Sequence, residues 1–234
     1  MEIKVLASSS KANCAYVSDA ATPLLLDAGL SLRVIRGGLD FGVSRIAAAL
    51  ITHSHKDHCA GARDLAGAGI DCYMLPSVAE ATGLSDHHRA RIIKPMERFT
   101  VGTWSVLPFD TPHDVDNIGF LMASGSGERL LYLTDTPYCR YKMARMTHVL
   151  LEINYHLPII KANVADGVVG RQLFRRTMHS HMSLDTALEF LRVNDLSRVE
   201  AIWLMHLSDR NSDEAMFKQS VQRLTGKPVY IARR

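Results

Sequence analysis

The sequence predicts a layered α/β fold. Three observations carry that prediction: short apolar runs bounded by Gly, Pro or Asp, two amphipathic helices late in the chain, and the lack of any linker, internal repeat or low-complexity stretch. The apolar runs place strands near 2–7, 15–18, 23–27, 48–52, 103–109, 118–123, 129–134, 148–152, 200–205 and 228–232. One helix begins after Ser183 as N-cap, with Leu184, Ala187, Leu188 and Leu191 on a single face. In the other, Ser212 precedes a run that puts Phe217, Val221 and Leu224 on one face before Gly226 and Pro228 end it. Strand-rich stretches followed by helices indicate stacked layers, and residues 1–234 read as one domain.

Composition narrows the class. With 47% apolar and 22% charged residues the chain buries a full core, which excludes disorder. No apolar run approaches the ~20 residues of a membrane helix, and Met1 to Ser10 lacks the plan of a signal peptide, so a soluble, cytoplasmic protein without a membrane partner is expected. Cys14, Cys59, Cys72 and Cys139 form no CxxC pair and are expected to be reduced and mostly buried. The formal charge of +3 is too mild to mark a nucleic-acid binder by itself. Eleven histidines are the abnormal count.

Their placement is informative. His53-Ser54-His55-Lys56-Asp57-His58 directly follows the apolar run Ala48-Ala49-Leu50-Ile51-Thr52, so four residues of ligand type crowd one strand end. Imidazoles at i and i+2 can converge on one ion there, leaving Asp57 and His58 for a second. Later strand ends supply further ligand types: His113 after Phe109-Asp110-Thr111-Pro112, Asp135 after Leu130-Leu131-Tyr132-Leu133-Thr134, and His206 after Ala201-Ile202-Trp203-Leu204-Met205. Asp135 would bridge the two ions. The chemistry of the donors suits two divalent ions, Zn²⁺ or Mn²⁺.

The order Asp27, His53-Ser54-His55-Lys56-Asp57-His58, His113, Asp135, His206 resembles the metallo-β-lactamase fold superfamily over the whole chain. That resemblance implies a four-layer αββα sandwich. It also implies that His53, His55 and His113 hold one ion, that Asp57, His58 and His206 hold the other, and that Asp135 lies between them. Asp27 matches the acid that orients the histidine segment.

Finer features choose a branch. Secreted lactamases carry an export signal, and glyoxalase II-like thioesterases carry an added helical domain for which this sequence offers no candidate. Five segments instead resemble the YycJ/WalJ-type metallohydrolases, which are similar to ribonuclease Z and associated with nuclease activity, including 5′ exonuclease activity. They are the run from Leu6 to Tyr16, His113 to Phe120, Glu152-Ile153-Asn154-Tyr155, Ser180-His181-Met182-Ser183 and His206-Leu207-Ser208. The chain departs from that branch where Ser9 and Ala12 stand at glycine positions, where His156 replaces an acid and where Ser180 replaces glycine; every metal position is intact.

A phosphodiester hydrolase, most simply a nuclease on DNA or RNA, is therefore expected. Two ions ~3.5–4 Å apart lower the pKa of a water between them toward ~7, and the resulting hydroxide attacks phosphorus. Asp57 or Asp135 accepts the water proton, and His181 is the candidate donor to the leaving oxygen. Three basic groups could contact phosphates: Arg171, Arg175 and Arg176; Arg140, Lys142 and Arg145; and His87, His88, Arg89 and Arg91. A phosphodiesterase for cyclic nucleotides or dinucleotides would need the same metals and a narrower pocket. A thioester or lactone hydrolase would need no acid at His181, and a metal-binding regulatory or redox protein would need no hydrolysis at all. The resemblance also allows pairing into a homodimer.

Overall fold

The computed structural model describes residues 1–40 and 42–232. They form two compact units, one built from 1–110 and 115–128, the other from 111–114 and 129–232.

The first unit opens with a hairpin, β1 (Glu2–Ser9) against β2 (Ala12–Ser18), paired from Glu2↔Ser18 to Ser9↔Ala12 with an irregularity between Val5 and Ala7. It continues through β3 (Pro23–Leu26), α1 (Leu32–Gly38), β4 (Ala48–Leu50), α2 (Lys56–Cys59), α3 (Ala62–Gly67), β5 (Asp71–Met74), α4 (Pro76–Thr82) and β6 (Ala90–Ile92). These strands form one sheet in the order β1-β2-β3-β4-β5-β6, antiparallel at the hairpin and up to β3, parallel from β3 to β6. β7 (Phe99–Val101), β8 (Trp104–Thr111) and β9 (Asn117–Ala123) follow as three adjacent strands. The second unit contains β10 (Arg129–Leu133), β11 (His148–Glu152), α5 (Leu157–Ala165), α6 (Arg171–Ser180), α7 (Leu184–Val193), β12 (Ala201–Met205), α8 (Glu214–Thr225) and β13 (Val229–Ile231). Its strands are parallel throughout, in the order β13-β12-β11-β10.

The α/β class expected from the sequence is the class observed. All ten expected strands exist, because each carries enough apolar side chains to be buried. β11 is buried along its whole length, as parallel strands between covered faces are. The strands that the pattern misses are β5, β6 and β7, three or four residues each; β6 and β7 stand at sheet edges, where one paired side suffices and hydrophobic alternation is weak. Ser183 caps α7 by accepting from the Thr186 amide, as its position predicts, with Leu184, Ala187 and Leu191 buried beneath. α8, which the pattern places after Ser212, is capped by Asp213. The Asp213 carboxylate accepts from the Met216 amide, whereas the Ser212 hydroxyl donates to the Ser208 carbonyl. Gly226 ends α8 in the left-handed region at φ 65°. No helix among the described residues is long and apolar enough to cross a membrane.

The turn after β3 interlocks with the start of α2. The Ala28 amide donates to the His58 carbonyl at 2.7 Å, the Gly61 amide to the Ala28 carbonyl at 2.7 Å and the Gly29 amide to the Asn13 carbonyl at 2.9 Å. This approach leaves no room for a side chain at Gly29, where a Cβ would stand 1.8 Å from the Asp57 carbonyl oxygen. Gly29→Ala must therefore displace the backbone that carries Asp57 and His58; it is expected to destabilise the protein by roughly 1–3 kcal/mol in urea unfolding and to weaken divalent-metal binding. All four cysteines are free thiols, with Cys14, Cys59 and Cys72 buried. Burial pushes Cys59 up to about 11 and Cys72 up to about 12, and raises Cys14 further, so all three stay protonated at pH 8. A native-state thiol titration at pH 8 with a disulfide reagent is thus expected to modify Cys139 rapidly and the other three only after denaturation.

Candidate metal centre

Three of the residues singled out from the sequence share an uncommon backbone. Asp27, Asp135 and His206 have φ of 60°, 51° and 54°, in the left-handed region that L residues avoid. Each stands one or two residues beyond a strand, after β3, β10 and β12. Such a residue halts the ladder and turns the side chain across the strand end, at a cost of order 1–3 kcal/mol that persists only where the surroundings hold it.

In the first unit, the carboxylate of Asp27 organises the histidine segment. Its Oδ1 accepts from the Thr52 amide and the Thr52 hydroxyl, both at 2.9 Å, and its Oδ2 lies 2.7 Å from His58 Nδ1. A carboxylate only accepts, so His58 carries its proton on Nδ1 and presents Nε2 as a lone pair. The same logic passes through Thr52. Its single proton goes to Asp27, so at 2.9 Å from His53 Nδ1 it must accept, and His53 also presents Nε2 as a base. Asp27, His53 and His58 are fully buried.

The donor atoms then converge. His53 Nε2 and His55 Nδ1 are 3.1 Å apart, and His58 Nε2 is 3.3 Å from Asp57 Oδ2. Two imidazole nitrogens bound tetrahedrally to one ion at ~2.0–2.1 Å stand roughly 3.3 Å apart, so the first pair fits a divalent cation closely. Asn13, a residue without ligand character in the sequence pattern, enters here. Its Nδ2 contacts His58 Nε2 at 2.9 Å, the Ser9 carbonyl at 2.9 Å and Asp57 Oδ2 at 3.3 Å.

In the second unit, β10, β11 and β12 bring Asp135, Glu152 and His206 to one carboxyl edge, and the ligand atoms of Asp135, Glu152, His181 and His206 all lie within 4.8 Å of one another. His113 Nδ1 donates to the Ser180 carbonyl at 3.0 Å, which leaves Nε2 as the lone pair, 3.9 Å from Asp135 Oδ2. Burial holds the His113 imidazole below its ordinary pKa, opposed in part by the charge of Asp135, so the neutral form needed for a ligand is favoured. His206 Nε2 is 3.8 Å from Asp135 Oδ1, while Asn154 Nδ2 reaches both His206 Nδ1 at 3.0 Å and the His206 carbonyl at 2.9 Å. The Thr134 hydroxyl donates to Asp135 Oδ1 at 2.6 Å.

His181 stands between His113 and His206, with ring centroids 5.8 and 5.2 Å away. Its Nδ1 donates to Glu152 Oε1 at 2.6 Å, and Glu152 Oε2 accepts from the Thr136 amide at 2.9 Å. The fully buried Glu152 is a member of this cluster to which the sequence pattern assigns no role. Its signal was a single charge closing the otherwise apolar strand run Val149-Leu150-Leu151. Beyond it the chain fastens both histidines: the Asn154 and Leu184 amides donate to the Met182 and Tyr155 carbonyls, and the Ser208 amide donates to the Asn154 carbonyl. The first unit thus brings His53, His55, Asp57 and His58 together, and the second His113, Asp135, His181 and His206.

The family model for the β-lactamase superfamily domain matches residues 22–207, which span every one of these side chains from Asp27 to His206. The chain belongs to that superfamily. Its curated relatives include the exodeoxyribonuclease WalJ of Streptococcus pneumoniae, 28% identical over 225 residues that cover 89% of this chain and 82% of that protein. Exodeoxyribonuclease YycJ of Bacillus anthracis is 26% identical over 240 residues, covering 96% and 89%. The YycJ/WalJ-type branch indicated by the sequence is therefore the one to which its relatives belong. Among solved structures, the metallo-β-lactamase fold protein YhfI from Bacillus subtilis has a TM-score of 0.77 at 14% identity, covering 99% of this chain and 95% of YhfI. The short form of human tRNase Z has a TM-score of 0.66 at 15% identity, covering 90% and 94%, and a diphosphatase of the PhnP family 0.67 at 15%, covering 99% and 93%. These likenesses show that the superfamily member has the metallo-β-lactamase fold.

If Asp27 sets the ring protons, its loss must be felt at the metal. Asp27→Asn, which cannot offer a charged acceptor to His58 Nδ1, is expected to lower divalent-metal affinity ~10–100-fold. Thr52→Val, which breaks only the relay to His53, should lower it less; competition against a chromophoric chelator measures both.

Proposed function

We propose that this chain is a metal-dependent phosphodiester hydrolase that degrades DNA, with residues 1–234 acting as one hydrolase domain. The observation that carries the proposal is that His53, His58 and His113 commit their Nδ1 protons to oxygen acceptors, which leaves Nε2 basic, beside His55 for His53 and beside carboxylates for His58 and His113. The exodeoxyribonuclease names of the relatives support the choice of substrate. The proposed ligands are His53, His55 and His113 for one ion and Asp57, His58 and His206 for the other, with Asp135 shared. Bound there, two divalent ions, Zn²⁺ or Mn²⁺, would supply Lewis acidity toward a phosphoryl oxygen and acidify a water.

The protein's own groups do the rest. Asp57 or Asp135 takes the proton of the attacking water. His181 gives a proton to the departing alkoxide oxygen, and Glu152 at its Nδ1 sets the ring orientation and compensates the charge of the imidazolium. The burial of Glu152 and Asp135 makes these carboxylates rigid acceptors rather than solvated ones.

The purified, Zn²⁺- or Mn²⁺-loaded protein should hydrolyse bis(p-nitrophenyl) phosphate and end-labelled single- or double-stranded oligodeoxynucleotides. Asp135→Ala should abolish both activities. His181→Ala should keep its metal content by mass spectrometry yet lose ~10²–10⁴-fold of its rate on oligonucleotides, whose alkoxide leaving group needs a proton, and far less on bis(p-nitrophenyl) phosphate, whose leaving group does not. Turnover of a thioester alone, or of cyclic nucleotides alone, overturns the DNA reading. Loss of metal from His181→Ala overturns its role as acid.

A further inference from the structure

The amphipathic helix α6 leads directly into His181. The polar residues Arg171, Gln172, Arg175, Arg176 and His179 are exposed, as is Leu173, whereas Thr177 and Ser180 are buried and Phe174 and Met178 are half-buried. At 100° per residue these five polar residues span an arc of about 140°, outside which Leu173 falls. Phe174 and Met178 pack on the cluster of Tyr155, Ile160 and Val169, whereas Leu173 is exposed beside the basic face, so the arginines of α6 project from the side that the cluster does not cover.

Two contacts tie this helix to the catalytic cluster of the same unit. The Ser180 carbonyl accepts from His113 Nδ1 at 3.0 Å, and Arg176 Nε donates to Asp114 Oδ2 at 3.1 Å, the residue after His113. Arg176 is therefore a tether, and Arg171 and Arg175 are left with no acidic partner among the described residues. Three arginines of the other basic groups are more committed. Arg89 and Arg91 both pair with Asp71 at 3.0 Å, and the Arg140 guanidinium lies 5.1 Å from the Tyr141 ring.

We propose that the exposed face of α6 is the track for a single DNA strand leading away from the scissile phosphodiester, with Arg171 and Arg175 each neutralising one phosphate. This rests on the proposed nuclease function and names how that site would hold its polymer. Arg171, Arg175 and His179 stand four residues apart, about 6 Å per step along the axis, so the row runs ~12 Å and ends two residues before His181. That spacing suits successive phosphates of an extended strand. With a formal charge of only +3, the chain is poorly equipped for a long duplex track, and a short row of arginines is the local attraction a single strand needs.

The test compares two double variants that remove the same charge. Arg171→Ala/Arg175→Ala takes two arginines from α6; Lys218→Ala/Arg223→Ala takes two exposed cations from α8 and serves as control. Fluorescence anisotropy of a labelled 20-mer oligo-dT across a series of salt concentrations should give, for the α6 variant, a log K against log salt slope shallower by about 1.4, roughly 0.7 for each single-strand phosphate no longer neutralised. Its KM for the oligonucleotide should rise roughly tenfold at ~0.1 M salt, while kcat changes little. The α8 variant should keep both the wild-type slope and the wild-type KM. Equal slopes in the α6 variant and the wild type, or equally shallow slopes in both variants, overturn the proposal. Failure of the wild-type protein to hydrolyse any phosphodiester would instead overturn the nuclease function on which it rests, a distinct outcome read from bis(p-nitrophenyl) phosphate.

Discussion

A single buried carboxylate governs the histidine segment. Asp27, at the end of β3, accepts from the Thr52 amide, the Thr52 hydroxyl and His58 Nδ1, and through Thr52 it also decides which nitrogen of His53 holds a proton. An ionised carboxylate in the interior is costly unless its lone pairs are satisfied, and here three donors share the two oxygens. That mutual dependence explains the left-handed backbone at Asp27 and the close approach at Gly29, since both serve to bring this carboxylate across the strand end.

Glu152 plays the corresponding part in the second unit, with a different result. It lies at the carboxyl end of a wholly buried parallel strand, takes the Thr136 amide on one oxygen and His181 on the other, and so couples the loop after β10 to the segment before α7. Asp27 fixes tautomers for two of the proposed metal ligands, His53 and His58; Glu152 supports the one histidine of the cluster proposed to carry a proton. Two buried acids with different neighbours thus prepare two kinds of imidazole.

The concentration of lone pairs and carboxylates in each unit also bears on folding. Basic nitrogens 3.1 Å apart and carboxylates beside them are held together by the surrounding fold rather than by attraction for one another. A cation that binds the native arrangement and not the unfolded chain would add its binding free energy to stability, which couples metal loading to the fold itself. The strained φ values at Asp135 and His206 are understandable as part of that design, because strain at a strand end persists where many contacts specify one geometry.

Periodicity, turn residues and residue type made much of this legible in the sequence. The principal strands, the α7 cap at Ser183, and the candidate ligands His53, His55, Asp57, His58, His113, Asp135 and His206 followed from apolar runs that end in His or Asp, while the role of Asp27 came from the resemblance to a known superfamily. Short edge strands such as β6 were hidden because pairing on one side needs little hydrophobic pattern, and the α8 cap fell to Asp213 because the Ser212 hydroxyl is drawn to the Ser208 carbonyl. The sequence by itself determined the chemistry available: histidines, aspartates and a glutamate at strand ends, in the order of a known superfamily. Only the tertiary structure decided which nitrogen of His53, His58 and His113 is basic, that Glu152 pairs with His181, and that α6 leads its arginines toward His181, because hydrogen-bond direction and burial arise from residues distant in the chain.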